Sequence, residues 1–156
     1  MKTTIDDLEK TYKLCLSTGN VKEKVVDIEH ITSLKIVAEK GLDFIKNRSK
    51  DISKDSTDWT FVFRDYYESL RGLIEAYLLF DGIAADNHQC KNAYLCFKHP
   101  ELDLDWIFLE TARLKRNAIN YRGQLLKHDD WEVLKLKFDL HISALKKEIE
   151  QKLAEK

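Results

Sequence analysis

Proline occurs once and glycine five times in these 156 residues, while apolar residues return every three or four positions through most of the chain. A chain with so few breakers has few ways to turn, and a 3.6-residue apolar period buries its hydrophobic side only when it is wound as helix. Nothing alternates with period two for long enough to be a strand. The expectation is therefore all-α: five or six helices in an elongated bundle, forming one domain over residues 1–156. With 44% hydrophobic and 34% charged residues, the composition is that of a globular chain able to bury a substantial core.

The pattern divides as follows. Residues 4–16 make a first helix with Ile5, Leu8, Tyr12 and Leu16 on one side, stopped by Ser-Thr-Gly-Asn. A second runs from about Val21 to Ile52, with a break near Gly41; Val26, Ile28, Ile31, Leu34, Val37 or Ala38, Leu42 and Ile45 keep its period. The turn-like stretch Asp-Ile-Ser-Lys-Asp-Ser-Thr-Asp connects it to a third helix, about Asp58 to Asp81. This third helix is the most apolar, with Phe61, Leu70, Leu73, Ile74, Tyr77 and Leu78 giving a wide face and Gly82 a stop. Tyr67, Arg71 and Glu75 are spaced by four along it, and Arg71 with Glu75 reads as an ordinary helical ion pair. Asn87 opens a short helix that Pro100 ends. In the last helix Asp129 and Glu132 form a capping box, and Leu134, Phe138, Ile142, Leu145 and Ile149 a continuous apolar stripe.

Several functions lack their motif. There is no apolar run of about 18 residues for a membrane span, and the opening Met-Lys-Thr-Thr-Ile-Asp-Asp-Leu-Glu-Lys has no apolar core of a leader. The expectation is a cytoplasmic protein with no membrane partner. Cys15, Cys90 and Cys96 contain no C-x-x-C pair and read as reduced thiols in a reducing compartment. His88, Cys90, Cys96 and His99 come nearest to a zinc set but match no common ligand spacing. No metal and no cofactor is expected, and no dinucleotide, phosphate-loop or serine-hydrolase signature is present.

The remaining segment, Asp103 to Asp129, carries the candidate site. Asp103 caps a helix there, Asp105 lies in its first turn, and Gly123 ends it. Ile107, Phe108, Ala112, Leu114, Ala118 and Ile119 supply its apolar side. Between Thr111 and His128 stand five Lys or Arg residues and no acid, although the whole chain carries a formal charge of only -1. Glu110, Arg113, Asn117 and Asn120 or Tyr121 fall three and four apart, on one face. Acids early and bases late is also what the helix dipole favours by itself, and charged helix faces are commonly just solvated. That explanation accounts less well for Asn117, Asn120 and Tyr121, since asparagine is a mediocre helix former.

Two pieces of the chain together resemble the HEPN domain family. Asp65 to Cys90, DYYESLRGLIEAYLLFDGIAADNHQC, is similar to its central paired-aromatic helix, which runs to a glycine and then to a short helix opened by a polar residue and histidine. Arg113 to Leu134, RLKRNAINYRGQLLKHDDWEVL, is similar to its Arg-Asn signature followed by histidine and a last amphipathic helix. The resemblance spans about residues 20–150. It implies a bundle of four or five helices, commonly a homodimer. It also implies either a metal-independent endoribonuclease, or a nucleotide- or protein-binding module, including toxins partnered by a small nucleotidyltransferase. By resemblance Arg116 takes the arginine position of the Arg–His pair and Asn117 its polar neighbour, while Tyr121 stands where histidine is expected. Arg122 and His128 offer a second Arg–His spacing, across Gly123.

Metal-free RNA cleavage needs a base for the 2′-hydroxyl, an acid for the leaving oxygen and cations around the phosphate. A tyrosine with pKa near 10 is ionised in only about one molecule in a thousand at pH 7. It can nevertheless donate a hydrogen bond to phosphate. The first expectation is accordingly a binding protein for RNA or a nucleotide phosphate, using Arg113, Arg116, Asn117, Asn120, Tyr121 and Arg122. The second is an active ribonuclease or toxin, with Arg116 and Tyr121 or His128 as catalytic candidates. The third is a protein-interaction bundle with an incidental basic cluster. The wide apolar circumference of the third helix adds the expectation of a homodimer.

Overall fold

The computed structural model describes residues 5–156, so the expected start at residue 4 and the side chain of Ile5 lie outside the description. The order is α1 (Ile5–Ser17), β1 (Val21–Glu23), α2 (Ile28–Ser49), α3 (Trp59–Phe80), β2 (Ile83–Ala85), α4 (His88–Lys98), a 3-10 turn (Pro100–Leu102), α5 (Trp106–Arg122) and α6 (His128–Ala154). The architecture is an all-α bundle with one very small sheet. No helix among the described residues is long and apolar enough to cross a membrane.

The central helix is α3, which packs against α2, α4, α5 and α6. Fourteen of its 22 residues are buried, so its wide apolar circumference is covered by neighbours within the same chain; only Phe61 among its large apolar residues is exposed. The predicted stripe of α6, Leu134 to Ile149, is buried throughout. Phe63 and Tyr66 of α3 meet Trp131 and Phe138 of α6, with ring centroids 4.6 to 6.5 Å apart. Aromatic pairs at such distances add attraction beyond the area they bury. The linker between α5 and α6 is pinned to the start of α3, because Leu126 N donates to Thr60 Oγ1 at 2.7 Å.

Several expectations need correction. Where apolar spacing predicts one helix from Val21 to Ile52, the structure places β1 first and starts α2 at Ile28, where Asp27 accepts from His30 N. The helix then passes Gly41 unbroken. β1 pairs antiparallel with β2, Val21 opposite Ala85 and Glu23 opposite Ile83. Strands of three residues are too short to display a period of two. Gly82 permits the arrangement, with φ of +68°, a backbone conformation that other residues rarely adopt, and a Cβ there would press on Lys24 O at 3.1 Å.

The cap of α5 is Asp105, which accepts from Phe108 N at 3.0 Å. Asp103 instead closes the preceding 3-10 turn in left-handed backbone, φ +52°. On α5, Phe108, Ala112, Ala118 and Ile119 are buried as predicted, but Ile107 and Leu114 are exposed. The last helix starts at His128, one residue before the predicted cap, and Asp130 rather than Glu132 turns back to accept from Lys127 N at 3.0 Å. Arg71 bonds Glu68 at 3.0 Å, and Glu75 faces Lys91 instead.

The cysteine reading also fails. Cys15 and Cys90 form a disulfide between α1 and α4 with their Cα atoms 5.8 Å apart. Cys96 alone is a free thiol, and burial pushes it up to about 12.

Candidate functional site

Three helices bring the predicted residues together. The basic end of α5 lies beside the first turn of α4, with α3 beneath both. Between them opens a cleft of about 400 Å³ lined by Asn87, His88, Gln89, Arg113, Arg116, Asn117 and Tyr121. Four of the predicted α5 residues thus share one face, at the three- and four-residue spacings read from the sequence.

Each side chain is held differently. Glu110 is only 2% exposed, and its carboxylate receives Gln89 Nε2 at 2.9 Å, Asn92 Nδ2 at 3.1 Å, and Arg113 Nε and Nη2 at 3.0 and 2.9 Å. A buried carboxylate needs such donors. Arg113 therefore spends its fork on Glu110 and keeps one terminal nitrogen for the cleft. Arg116 is less committed: it lies 3.5 Å from Glu68 Oε1 and donates a long bond of 3.4 Å to Asn117 Oδ1. Its guanidinium stands 5.9 Å from the Tyr67 ring centroid, within reach of a cation–π attraction. The Arg116 Nε is buried with no partner among the described residues. Because Asn117 accepts through its oxygen, its amide nitrogen is left to donate. Tyr121 is 77% exposed at the rim.

His88 stands out from the structure and not from the α5 signature. It opens α4 next to Asn87, whose side chain caps the helix by accepting from Cys90 N at 2.8 Å. Its Nδ1 is 3.1 Å from the Tyr67 hydroxyl, and the two rings stack with centroids 6.1 Å apart. Burial, and then the cations Arg71, Lys91, Arg116 and Arg113, push the imidazole down to about 4, so it is neutral at pH 7. Burial likewise pushes Tyr67 up to about 12. The sequence does carry a local signal for this contribution, in the polar run Asn87-His88-Gln89 at a helix start.

The other predicted residues fall elsewhere. Asn120 and Arg122 are exposed and do not line the cleft. His128 packs edge-on against Trp59 at 4.7 Å and lies 3.3 Å from Glu132. Trp59 is eight residues before Tyr67 on α3, about 12 Å along the axis, so His128 packs at the start of that helix and Arg116 near its middle. The four residues nearest to a zinc pattern have other occupations: Cys90 is in the disulfide, Cys96 is buried, His88 bonds Tyr67, and His99 bonds Asp81 and Glu101.

Chemically, the cleft gathers cations and neutral donors and offers little that accepts a proton. Glu110 faces inward, Glu68 is shared by Arg71 and Arg116, and the first turn of α4 adds the positive end of its dipole. Comparison with known proteins finds no match among family models, curated proteins or solved structures.

Proposed function

We propose that this protein is a HEPN-like module that holds RNA or a nucleotide by phosphate, without cleaving it. The observation that carries the reading is the cleft itself: Arg116, Asn117, one nitrogen of Arg113 and His88 converge on one opening of phosphate-binding chemistry. A near-neutral chain is poorly suited to tracking a long polyanion, whose affinity comes from many phosphate contacts. One local basic cleft suits a short RNA or a mononucleotide instead. Turnover is disfavoured because Tyr121 occupies the expected histidine position and His128 lies outside the cleft.

The rest of the proposal rests on the resemblance. It includes a homodimer, for which the exposed Val37 and Phe44 beside the α2–α3 groove offer apolar surface. A small nucleotidyltransferase is the proposed partner. The proposed setting is cytoplasmic, where Cys15 and Cys90 would meet a reducing environment but are both buried.

Arg116→Ala is expected to weaken RNA or nucleotide binding by about 1.5–3 kcal/mol, the size of a charge-assisted hydrogen bond, with the fold retained. Tyr121→Phe should cost less, since only a neutral donor at the rim is lost. Labelled RNA incubated with EDTA decides on turnover. The wild type is expected to leave it intact, and Tyr121→His to acquire at most slow cleavage. Wild-type cleavage that disappears in both Arg116→Ala and His128→Ala would promote the ribonuclease reading. Absence of binding by every variant would leave a protein-interaction role.

A further inference from the structure

We propose that the cleft takes a terminal phosphate, a phosphomonoester on an RNA end or a mononucleotide, and that Tyr67 positions His88 as one of its donors by fixing which ring nitrogen carries the proton. This rests on the phosphate-binding reading above and narrows it to one class of ligand.

The Tyr67 side chain is 4% exposed, and the only partner of its hydroxyl among the described residues is His88 Nδ1 at 3.1 Å. A buried hydroxyl hydrogen needs an acceptor. Nδ1 can accept it only when unprotonated, so the ring proton of neutral His88 sits on Nε2. That nitrogen is not among the buried unpartnered atoms, and the ring lines the cleft. His88 therefore meets a ligand as an N–H donor and not as a base. Protonating Nδ1 would strand the Tyr67 hydrogen, which agrees with the low basicity of this imidazole.

The other groups at the opening are donors too. Arg116 keeps a second hydrogen on each terminal nitrogen beside those facing Glu68 and Asn117, Asn117 has its amide nitrogen, and Arg113 the terminal nitrogen that Glu110 does not take. These donors come from two helices and line the same cleft. A terminal phosphate brings three unshared oxygens and nearly two negative charges at neutral pH, against two oxygens and one charge for an internal diester. The charges around His88 are Glu68, Glu75 and Arg71 from α3, Lys91 from α4, and Glu110, Arg113 and Arg116 from α5, with Glu75 facing Lys91. With Glu110 and Glu68 already engaged by arginine, the surplus is positive. Because His88 stays neutral, the pH dependence of binding belongs to the ligand, whose second ionisation has a pKa of about 6. Affinity should rise from pH 5 to pH 7.5. A contact made by imidazolium would give the opposite trend.

The test is calorimetry with adenosine 5′-monophosphate, adenosine, and one short RNA prepared with a 5′-phosphate, a 3′-phosphate or neither. We expect the nucleotide to bind at least tenfold tighter than the nucleoside. One phosphorylated RNA should exceed the unphosphorylated one by the same margin, and affinity at pH 7.5 should be severalfold above that at pH 5. Tyr67→Phe, which keeps the packing volume, should weaken binding severalfold at pH 7.5 and leave the pH trend, which the ligand sets, in place. Equal binding of phosphorylated and unphosphorylated RNA overturns the terminal-phosphate assignment while leaving phosphate recognition intact. No binding of any probe overturns that recognition itself. The wild-type 15N spectrum of His88 at pH 7 reads the tautomer without any variant. A proton on Nδ1, or on both nitrogens, overturns the role of Tyr67.

Discussion

A carboxylate as buried as Glu110 is stable because four hydrogens from three side chains point at it. Removing one partner of such a pair leaves an uncompensated buried charge, at a cost of about 3–5 kcal/mol. Arg113→Met is therefore expected to lower unfolding free energy by roughly that amount, and Arg113→Met combined with Glu110→Gln to recover much of it. Urea denaturation measures both; a loss below about 1 kcal/mol in the single variant would mean that the pair behaves as a surface salt bridge. The i,i+3 spacing of Glu110 and Arg113 is legible in the sequence. Their burial is not, because Gln89 and Asn92 reach Glu110 from another helix, 21 and 18 residues upstream. The same holds for His88, whose partner Tyr67 lies 21 residues before it.

At the scale of elements, what was legible is what local chain chemistry decides. Gly82 and Gly123 stop helices in left-handed backbone, and Asn87 caps α4. The stripe of α6 was legible because a solvated helix with one buried face repeats its apolar residues regularly. The short sheet was hidden because β1 and β2 are separated by α2 and α3. The disulfide was hidden for a related reason: Cys15 and Cys90 are 75 residues apart, and only the docking of α1 on α4 brings them together. Tyr12 takes part in that docking, stacked on Phe97 at 4.4 Å. Cys15→Ser should cost about 2–4 kcal/mol of stability and leave α4 in place. Thiol titration under non-reducing conditions should find one cysteine, Cys96, reactive only after unfolding. Three reactive thiols in the unfolded, unreduced protein would contradict the linkage.

For the molecule as a whole, the bundle sets aside one region of positive surplus on a chain whose formal charge is -1. The sequence located half of that region, the face of α5, since its run of bases without acids is contiguous. The other half is delivered by α4 and requires the fold. The breadth of the apolar face of α3 was legible too, but its meaning was not: four helices of the same chain cover it, so that helix supplies no argument for a second copy. The central claim is that this composite cleft is where phosphate binds. An amide and side-chain NMR titration with adenosine 5′-monophosphate tests it most directly. Shifts should concentrate at His88, Gln89, Arg113, Arg116 and Asn117, with Tyr121 following at the rim, and should vanish in Arg116→Ala. Shifts centred on Arg122 and His128, or none at millimolar nucleotide, would contradict it.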